Sequence, residues 1–206
     1  MTSISLKELE MILKKEQVIV FGEVHGTKET PEMLTHALSK LAEYGGFNLC
    51  LEIPKEFEKQ PEKFFAQSLG DGRNSLEYLR LVHQLGSYEG VRIFFVEEDT
   101  GKGTKDENLA NRVADIVACG GKTVIILGNM HARKKPLKFG STEIIPAGYL
   151  LEKRLKKEVM SIALVPSRGM YYNHGIKKIT EISLPEHANG FDHIFVLGEV
   201  SPASFN

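Results

Sequence analysis

The segments QVIVFGEVHG (residues 17–26) and KTVIILGNMHAR (residues 122–133) share one pattern, a continuous apolar run that ends in Gly-x-x-His. Such runs of Val, Ile, Leu and Phe predict strands covered on both faces, as in a parallel sheet. A third run, GFNLCLEIP (residues 46–54), ends in the carboxylate of Glu52. Because ligands bind at the carboxyl ends of strands in open α/β sheets, we expect His25, His131 and Glu52 at one rim.

The rest of the chain alternates strands with helices until its last third, which is rich in strands. Further strands are predicted at residues 91–99, 158–165, 177–184 and 193–200, and helices after Ser5, from Thr30 to Gly45 and over residues 55–69, 75–85, 106–119 and 147–155. In this reading Asp106 caps its helix. The pattern predicts one three-layer α/β domain over residues 1–206. Its central sheet is mostly parallel, with antiparallel additions from the C-terminal third and helices on both faces.

Composition narrows the class of protein. The chain has 206 residues, 42% of them apolar and 26% charged, and a net charge of -1, which is typical of a globular domain with a sizeable core. We expect neither nucleic acid nor a membrane as a partner, because no basic patch and no spanning apolar segment is present. The start, MTSISLKELEMILKKE, reads as an amphipathic helix and not as a signal peptide, and Cys50 and Cys119 read as buried reduced thiols. A cytoplasmic location is therefore expected.

The acids near the two Gly-x-x-His motifs suggest the chemistry. Glu23 and His25 lie two residues apart on an extended segment, so their side chains can project to one side. Glu52 follows an apolar run, and a carboxylate there is costly unless it is paired, hydrogen-bonded or metal-bound. A simple salt bridge from Glu52 to Arg133 or Lys134 is the plainer alternative.

Two further residues are candidates for the same site. Arg133 could stabilise an oxyanion or a substrate carboxylate, or lie on the surface. Asp99 could orient a histidine or accept a proton, or be a turn residue at the start of a loop. No Ser occupies a G-x-S-x-G elbow and neither Cys ends a strand. Water, activated by His25 or by a metal, is the nucleophile that this pattern favours.

Five segments, taken in order, resemble the motifs of the erythromycin-esterase-like and ChaN-like superfamily, which also includes the Tiki and TraB metalloprotease-like proteins. They are FGEVHGTKE (21–29), LEIP (51–54), ILGNMHAR (126–133), PAGYLLEKRL with SIALVPSRG (146–169), and FDHIFVLGEVSPA (191–203). The chain departs from this pattern at Lys105, where many relatives have Arg before Asp. It is also much shorter than the antibiotic esterases, so macrolide specificity is not implied.

The resemblance implies different chemistry in each branch. In the esterase branch His25 would be a general base toward water, helped by Glu23 and Glu52. In the Tiki branch His25, Glu52 and His131 would bind one divalent metal, such as Zn, Mn or Co. ChaN members are haem-binding lipoproteins, and the chain lacks a lipoprotein signal, which argues against haem.

The function predicted from the sequence is that of a small hydrolase. Water would attack an ester, lactone or amide in a small-molecule or peptide substrate, with His131 as a second ligand or acid. The alternative is a module that holds haem or a metal without turnover. The choice between a metal-dependent and a metal-free site stays open, because His, His and Glu serve both.

Overall fold

The computed structural model describes residues 2–68, 70–179 and 189–205. The strands in these residues are β1 (Thr2–Ser3), β2 (Val18–Glu23), β3 (Asn48–Pro54), β4 (Arg92–Glu97), β5 (Thr123–Gly128), β6 (Leu137–Phe139), β7 (Thr142–Ile144), β8 (Met160–Tyr172), β9 (Ile176–Ile179) and β10 (His193–Val200). The helices are α1 (Leu6–Lys15), α2 (Glu29–Tyr44), α3 (Pro61–Phe65), α4 (Leu76–Gly86), α5 (Lys105–Ala118) and α6 (Ala147–Leu155).

One sheet of eight strands forms the centre of the described part of the chain. Its order is β4-β3-β5-β2-β8-β10-β1, and β9 pairs with the C-terminal end of β8. Every pairing along that order is parallel, whereas β8–β9 and the separate hairpin β6–β7 are antiparallel. The predicted mostly parallel α/β sheet is confirmed, although β8 and β10 of the C-terminal third join its parallel part.

Helices cover both faces of the sheet, as predicted. All six residues of β2 and all six of β5 are buried, which explains their unbroken apolar character. Side chains that alternate along these strands enter two cores. One core contains residues of α1, α2, α3 and α4, and the other contains residues of α5 and α6.

Two helices differ from the prediction for local reasons. Residues 55–69 form a 3-10 turn (Lys55–Phe57) followed by α3, because Pro61 has no N–H to continue a helix and instead begins a new one. The cap of α5 is Thr104, whose hydroxyl accepts the Glu107 N–H while the Glu107 carboxylate accepts the Thr104 N–H. The carboxylate of Asp106 is thereby left for another role.

The remaining differences are small. The helix predicted at residues 147–155 and the strand at 193–200 have the predicted bounds. The strand predicted at 177–184 appears as β9, and the part beyond residue 179 lies outside the described residues. Cys50 is buried as predicted, but Cys119 is exposed at the end of α5. Among the described residues no helix is long and apolar enough to cross a membrane.

Candidate active site

The strand order brings the two Gly-x-x-His motifs and Glu52 together. β5 lies between β2 and β3, so the turn that carries His131 sits between the strand that precedes His25 and the strand that contains Glu52. All three strands are parallel, and their carboxyl ends therefore share one rim. The sequence expectation that these three residues meet agrees with this geometry.

Glu52 is the centre of the cluster. Its side chain is buried, Oε2 accepts the backbone N–H of Gly128 at 2.7 Å, and Oε1 lies 2.8 Å from Nζ of Lys105 and 3.8 Å from Nε2 of His131. Burial alone would raise the pKa of Glu52, but the charges of His25, His131 and Lys105 hold it at about 2. Glu52 is therefore an ionised carboxylate at neutral pH.

His25 is held by the acid two residues before it. Nδ1 of His25 donates to Oε1 of Glu23 at 2.8 Å, and Glu23 is buried at the end of β2. Nε2 lies against Gly128. A Cβ atom added at this glycine would lie 2.7 Å from Nε2 of His25 and 3.5 Å from Oε2 of Glu52. The glycine of the second motif thus makes room for the imidazole of the first.

His131 is also held by a carboxylate. Its Nδ1 donates to Oδ1 of Asp106 at 2.8 Å, and this oxygen also accepts the backbone N–H of Ala147 at 2.7 Å. Asp106 therefore links the start of α5, the start of α6 and the second motif. Each histidine has one nitrogen bonded to a carboxylate, which leaves Nε2 as the proton acceptor of the neutral ring.

The two imidazoles share the same electrostatic character. Burial lowers the pKa of His25, but the hydrogen bond and charge of Glu23, together with the charge of Glu52, raise it overall. Burial also lowers the pKa of His131. The hydrogen bond to Asp106 and the charges of Glu52 and Asp106 outweigh burial, so the pKa of His131 is raised overall. Both rings consequently hold a proton more readily than a histidine in water.

Arg73 enters the cluster from the loop between α3 and α4. Its Nε donates to Asp71 at 2.7 Å, and its NH1 donates to the backbone oxygen of Glu52 at 3.0 Å and to the carboxylate of Glu97. The loop lies close to the end of β2, since a Cβ on Gly72 (φ +84) would lie 2.5 Å from Cα of Gly26. Only glycine is compatible with that approach.

Asp99 and Arg133 lie apart from the hydrogen-bonded cluster. Asp99 is exposed and accepts the N–H of Gly101 at 2.8 Å, which is the turn role that the sequence left open. Glu97, the last residue of β4, is the acid that reaches the cluster, through Arg73 and Lys105. NH1 of Arg133 donates to the backbone oxygen of Asn189 at 2.9 Å.

A cleft of about 310 Å³ opens above the cluster. That volume is at the lower end of what small-molecule sites occupy. Its walls come from the ends of β2, β5 and β8, and its lining includes His25, His131, Arg133, Asn129 and Tyr171. Both imidazoles of the cluster are therefore accessible from one solvent-facing space.

The residues expected to bind a metal have positively charged neighbours. In the described residues no group of three or more His, Cys, Asp or Glu side chains is arranged to hold a metal ion. The ammonium of Lys105 lies 2.8 Å from Glu52, and NH1 of Arg73 lies 3.7 Å from it. Two cations on the one carboxylate oppose a divalent ion there, so His25, Glu52 and His131 do not fit a metal site.

Three residues of the cluster were not identified as site residues from the sequence. The sequence predicts only a helix-cap role for Asp106 and marks Lys105 only as a departure from the family pattern, and it predicts no role for Arg73. Their signal is weak: Lys105 and Asp106 begin a helix that follows a glycine-rich loop, and Arg73 ends a second such loop, Gly70–Arg73. Loops of that kind often carry functional groups.

Comparisons with known proteins agree with the fold. No family model matches the sequence, and no curated protein matches it. Similar solved structures include a Bacillus cereus protein (TM-score 0.65, 13% identity, 98% of this chain and 94% of that chain) and a succinoglycan biosynthesis protein (0.67, 14%, 98% and 92%). A variant of the erythromycin esterase EreC in its open conformation is also similar (0.60, 10%, 87% and 80%). The chain thus shares its overall fold with these three proteins.

Proposed function

We propose that this protein is a hydrolase that activates water without a metal, for attack on an ester, lactone or amide. The observation that carries the proposal is the pair of histidine–carboxylate hydrogen bonds, His25–Glu23 and His131–Asp106, beside the buried Glu52. Paired, oriented imidazoles that open to one cleft are suited to general acid–base catalysis. The erythromycin-esterase-like fold supports the same reaction class.

In the proposed reaction His25 is the general base. Its neutral ring takes a proton from water at Nε2, and the carboxylates of Glu23 and Glu52 stabilise the imidazolium that forms. The hydroxide attacks the carbonyl carbon of the substrate, and the carbonyl oxygen becomes an oxyanion. Arg133 lines the cleft and supplies positive charge for that oxyanion.

His131 is the general acid. It enters the step protonated, with Asp106 and Glu52 favouring the charged ring. As the tetrahedral intermediate collapses, the bond from carbon to the leaving group breaks and His131 gives its proton to that group. Lys105 and Arg73 keep Glu52 ionised and in place, so both histidines retain a common negative neighbour.

A screen of esters, lactones and amides tests the proposal. We expect His25→Gln to lower kcat/KM on the best substrate by about 100-fold or more, the usual size of general-base effects. His36→Gln, a substitution of an exposed histidine on α2, is the matched control and should leave the rate unchanged. Full activity in His25→Gln would overturn the proposal.

The binding-module alternative has its own readouts. Nothing in the described residues favours it, and the cations around Glu52 argue against a metal. Titration of the purified protein with haemin, and elemental analysis after incubation with Zn, Mn and Co, should give no Soret shift and no stoichiometric metal. One bound equivalent that is lost in both His25→Ala and His131→Ala would replace the metal-free mechanism.

The substrate class and the compartment belong to the same proposal. A cleft of about 310 Å³ suits a small molecule or the end of a peptide. A cytoplasmic location would place such a substrate among intracellular metabolites, and cell fractionation with an antibody to the chain tests it.

A further inference from the structure

The segment after β10, residues 201–205, lies along the turn that follows the first Gly-x-x-His motif; we call it the strap. The backbone N–H of Ser201 donates to the carboxylate of Glu29 at 2.8 Å, across 172 residues of the chain. Thr27 and Pro202 form an antiparallel β-bridge. The turn of the first motif therefore has backbone partners in a segment that is distant in the sequence.

The strap also contacts Gly26, the residue directly after His25. The backbone oxygen of Gly26 accepts two N–H groups at 2.8 Å, one from Ala203 of the strap and one from Tyr172 of β8. Gly26 has a φ of +78, and a Cβ there would overlap the backbone oxygen of Tyr172. The peptide after His25 is thus held by the strap and by β8, in a place that only glycine can occupy.

The far end of the strap is anchored by the start of α4. The N–H of Leu76 donates to the backbone oxygen of Ser204 at 2.9 Å, and the N–H of Ser204 donates to the carboxylate of Glu77 at 3.0 Å. Glu77 is buried, and a buried carboxylate is costly unless it accepts hydrogen bonds. Docking of the strap supplies one of these hydrogen bonds.

The last residue of the strap connects it to the wall of the cleft. The rings of Phe205 and Tyr172 pack together with their centroids 4.6 Å apart. Tyr172 ends β8, and the residues on either side of it, Tyr171 and Asn173, line the cleft above the two histidines. The strap therefore contacts both the turn that carries the first histidine and the segment that forms one wall.

We propose that the strap is a positioning element of the site, in which Ala203 sets the place of His25 and Phe205 sets the wall of the cleft. Each of the two acts through another residue, Ala203 through Gly26 and Phe205 through Tyr172. The inference rests on the proposed function in taking His25 as the general base and the cleft as the place of the substrate.

The hydrogen bond from His25 to Glu23 does not by itself fix the imidazole in the site. β2 ends at Glu23, so the course of the residues after it depends on their own backbone partners. A displacement of a catalytic group by about 1 Å can cost about 100-fold in rate. Such a displacement of His25 would break the hydrogen bond from Ala203 to Gly26, and the docked strap opposes it for this reason.

NMR of the full chain tests the link to His25 without a substrate. The Nδ1–H signal of His25 is assigned by its loss in His25→Gln. Ala203→Pro removes the N–H that Gly26 accepts. We expect the signal to shift and its exchange with solvent to accelerate about tenfold, the effect of losing one hydrogen bond. Ala203→Gly keeps the N–H and is the matched control, which should change neither property.

The link to the cleft wall has its own readout. In Phe205→Ala the ring that packs on Tyr172 is lost, and we expect the side-chain amide signals of Asn173 to shift. Phe205→Tyr keeps the ring and should leave those signals in place. This second variant pair keeps every backbone hydrogen bond of the strap, so it tests the inference even if Ala203→Pro does not fold.

In the hydrolysis assay the two links should affect different constants. Ala203→Pro should lower kcat about tenfold at unchanged KM, because the base is displaced and the wall is not. Phe205→Ala should raise KM about tenfold at unchanged kcat, the upper size of the effect of one aromatic pair. A strap that only stabilised the fold would give no such division between kcat and KM.

Two NMR results would each overturn the inference. One is a folded Ala203→Pro variant in which the Nδ1–H signal has the shift and exchange rate of the wild-type protein. The other is a Phe205→Ala variant with unshifted Asn173 amide signals. Neither depends on hydrolysis: a protein without detectable hydrolase activity would refute the proposed function and leave both NMR comparisons intact.

Discussion

Glu52 illustrates how one buried charge is maintained. Its carboxylate is 5% exposed and accepts a backbone N–H, with Lys105 and Arg73 as positive neighbours. The pKa of about 2, against the ordinary 4.5, means that folding favours the ionised form. Such a group stabilises the fold fully above the unfolded pKa, and the stabilisation is lost as the pH falls through the folded pKa. The relevant window is pH 4.5 to about 2.

Substitution of Glu52 should therefore change the acid stability of the protein. At pH 7 we expect Glu52→Gln to be less stable than the wild type by about 3 kcal/mol, the equivalent of the pKa difference. The gap should close between pH 4.5 and about 2, because the wild-type carboxylate becomes protonated there. Urea unfolding of both proteins at several pH values measures this difference in the free energy of unfolding. Glu43→Gln, which replaces an exposed carboxylate on α2, should give a curve parallel to the wild type. A parallel curve for Glu52→Gln would contradict the expectation.

The two histidines predict a bell-shaped pH profile of kcat/KM. His25 must be neutral and His131 protonated, and the pKa of each is raised, so both limbs should lie above about pH 6.5, the ordinary histidine pKa. Asp106→Asn keeps the acceptor for Ala147 but removes the charge beside His131. It should move the alkaline limb down by about one pH unit. An unmoved limb would assign the acid role to another group.

The sequence predicted some of these residues and missed others for a physical reason. The local pattern predicts that four site residues lie at strand ends, because each directly follows an apolar run: Glu23, His25, Glu52 and His131. Arg73 belongs to a loop whose path depends on the contact of Gly72 with Gly26, 46 residues earlier in the chain. Contacts of that range leave no local pattern in a single sequence.

At the scale of elements, the end of β5 controls the shape of the site. Gly128 is the last residue of the strand, and a Cβ there would lie 2.7 Å from Nε2 of His25. We expect Gly128→Ala to displace the imidazole and lower kcat/KM by about 100-fold while the protein stays folded. Gly198→Ala is the matched control, since this strand glycine has open space around its Cβ. Equal rates for Gly128→Ala and the wild type would show that His25 acts from another position.

Elements were predicted well where their limits are local. The Pro146–Ala147 start of α6 and the buried runs of β2 and β5 follow from neighbouring residues. The prediction of one helix over residues 55–69 is wrong, because the aromatic spacing there suits a helix but Pro61 starts a new one. The role of Asp106 was misassigned because two candidate caps, Thr104 and Asp106, stand close together, and only Thr104 has Glu107 three residues later.

At the scale of the whole molecule, the class of fold follows from alternating elements but the strand order does not. The sequence predicts parallel strands with helices on both faces, and the structure agrees. The insertion of β5 between β2 and β3 depends on contacts across more than 70 residues, such as Asn48 with Thr123. That insertion assembles the site, so its geometry was beyond a reading of local patterns.

The same strand order predicts that the chain unfolds as one unit. β2 pairs with β5 on one side and with β8 on the other. Strands from the first half and from the last third of the chain therefore belong to one continuous sheet. Ile162→Ala on β8, opposite Phe21 of β2, should lower the free energy of unfolding by about 2–5 kcal/mol. The loss should be equal for far-UV circular dichroism and for the NMR signals of His25.

The matched control for this prediction is Ile176→Ala, on the edge strand β9, where the side chain is 64% exposed. It removes the same atoms from solvent-exposed surface and should change stability by less than about 0.5 kcal/mol. If the circular dichroism signal of Ile162→Ala were lost at a lower urea concentration than the His25 signals, β8 and β10 would form a separate unit. The site would then depend on the β2, β3 and β5 half of the sheet alone.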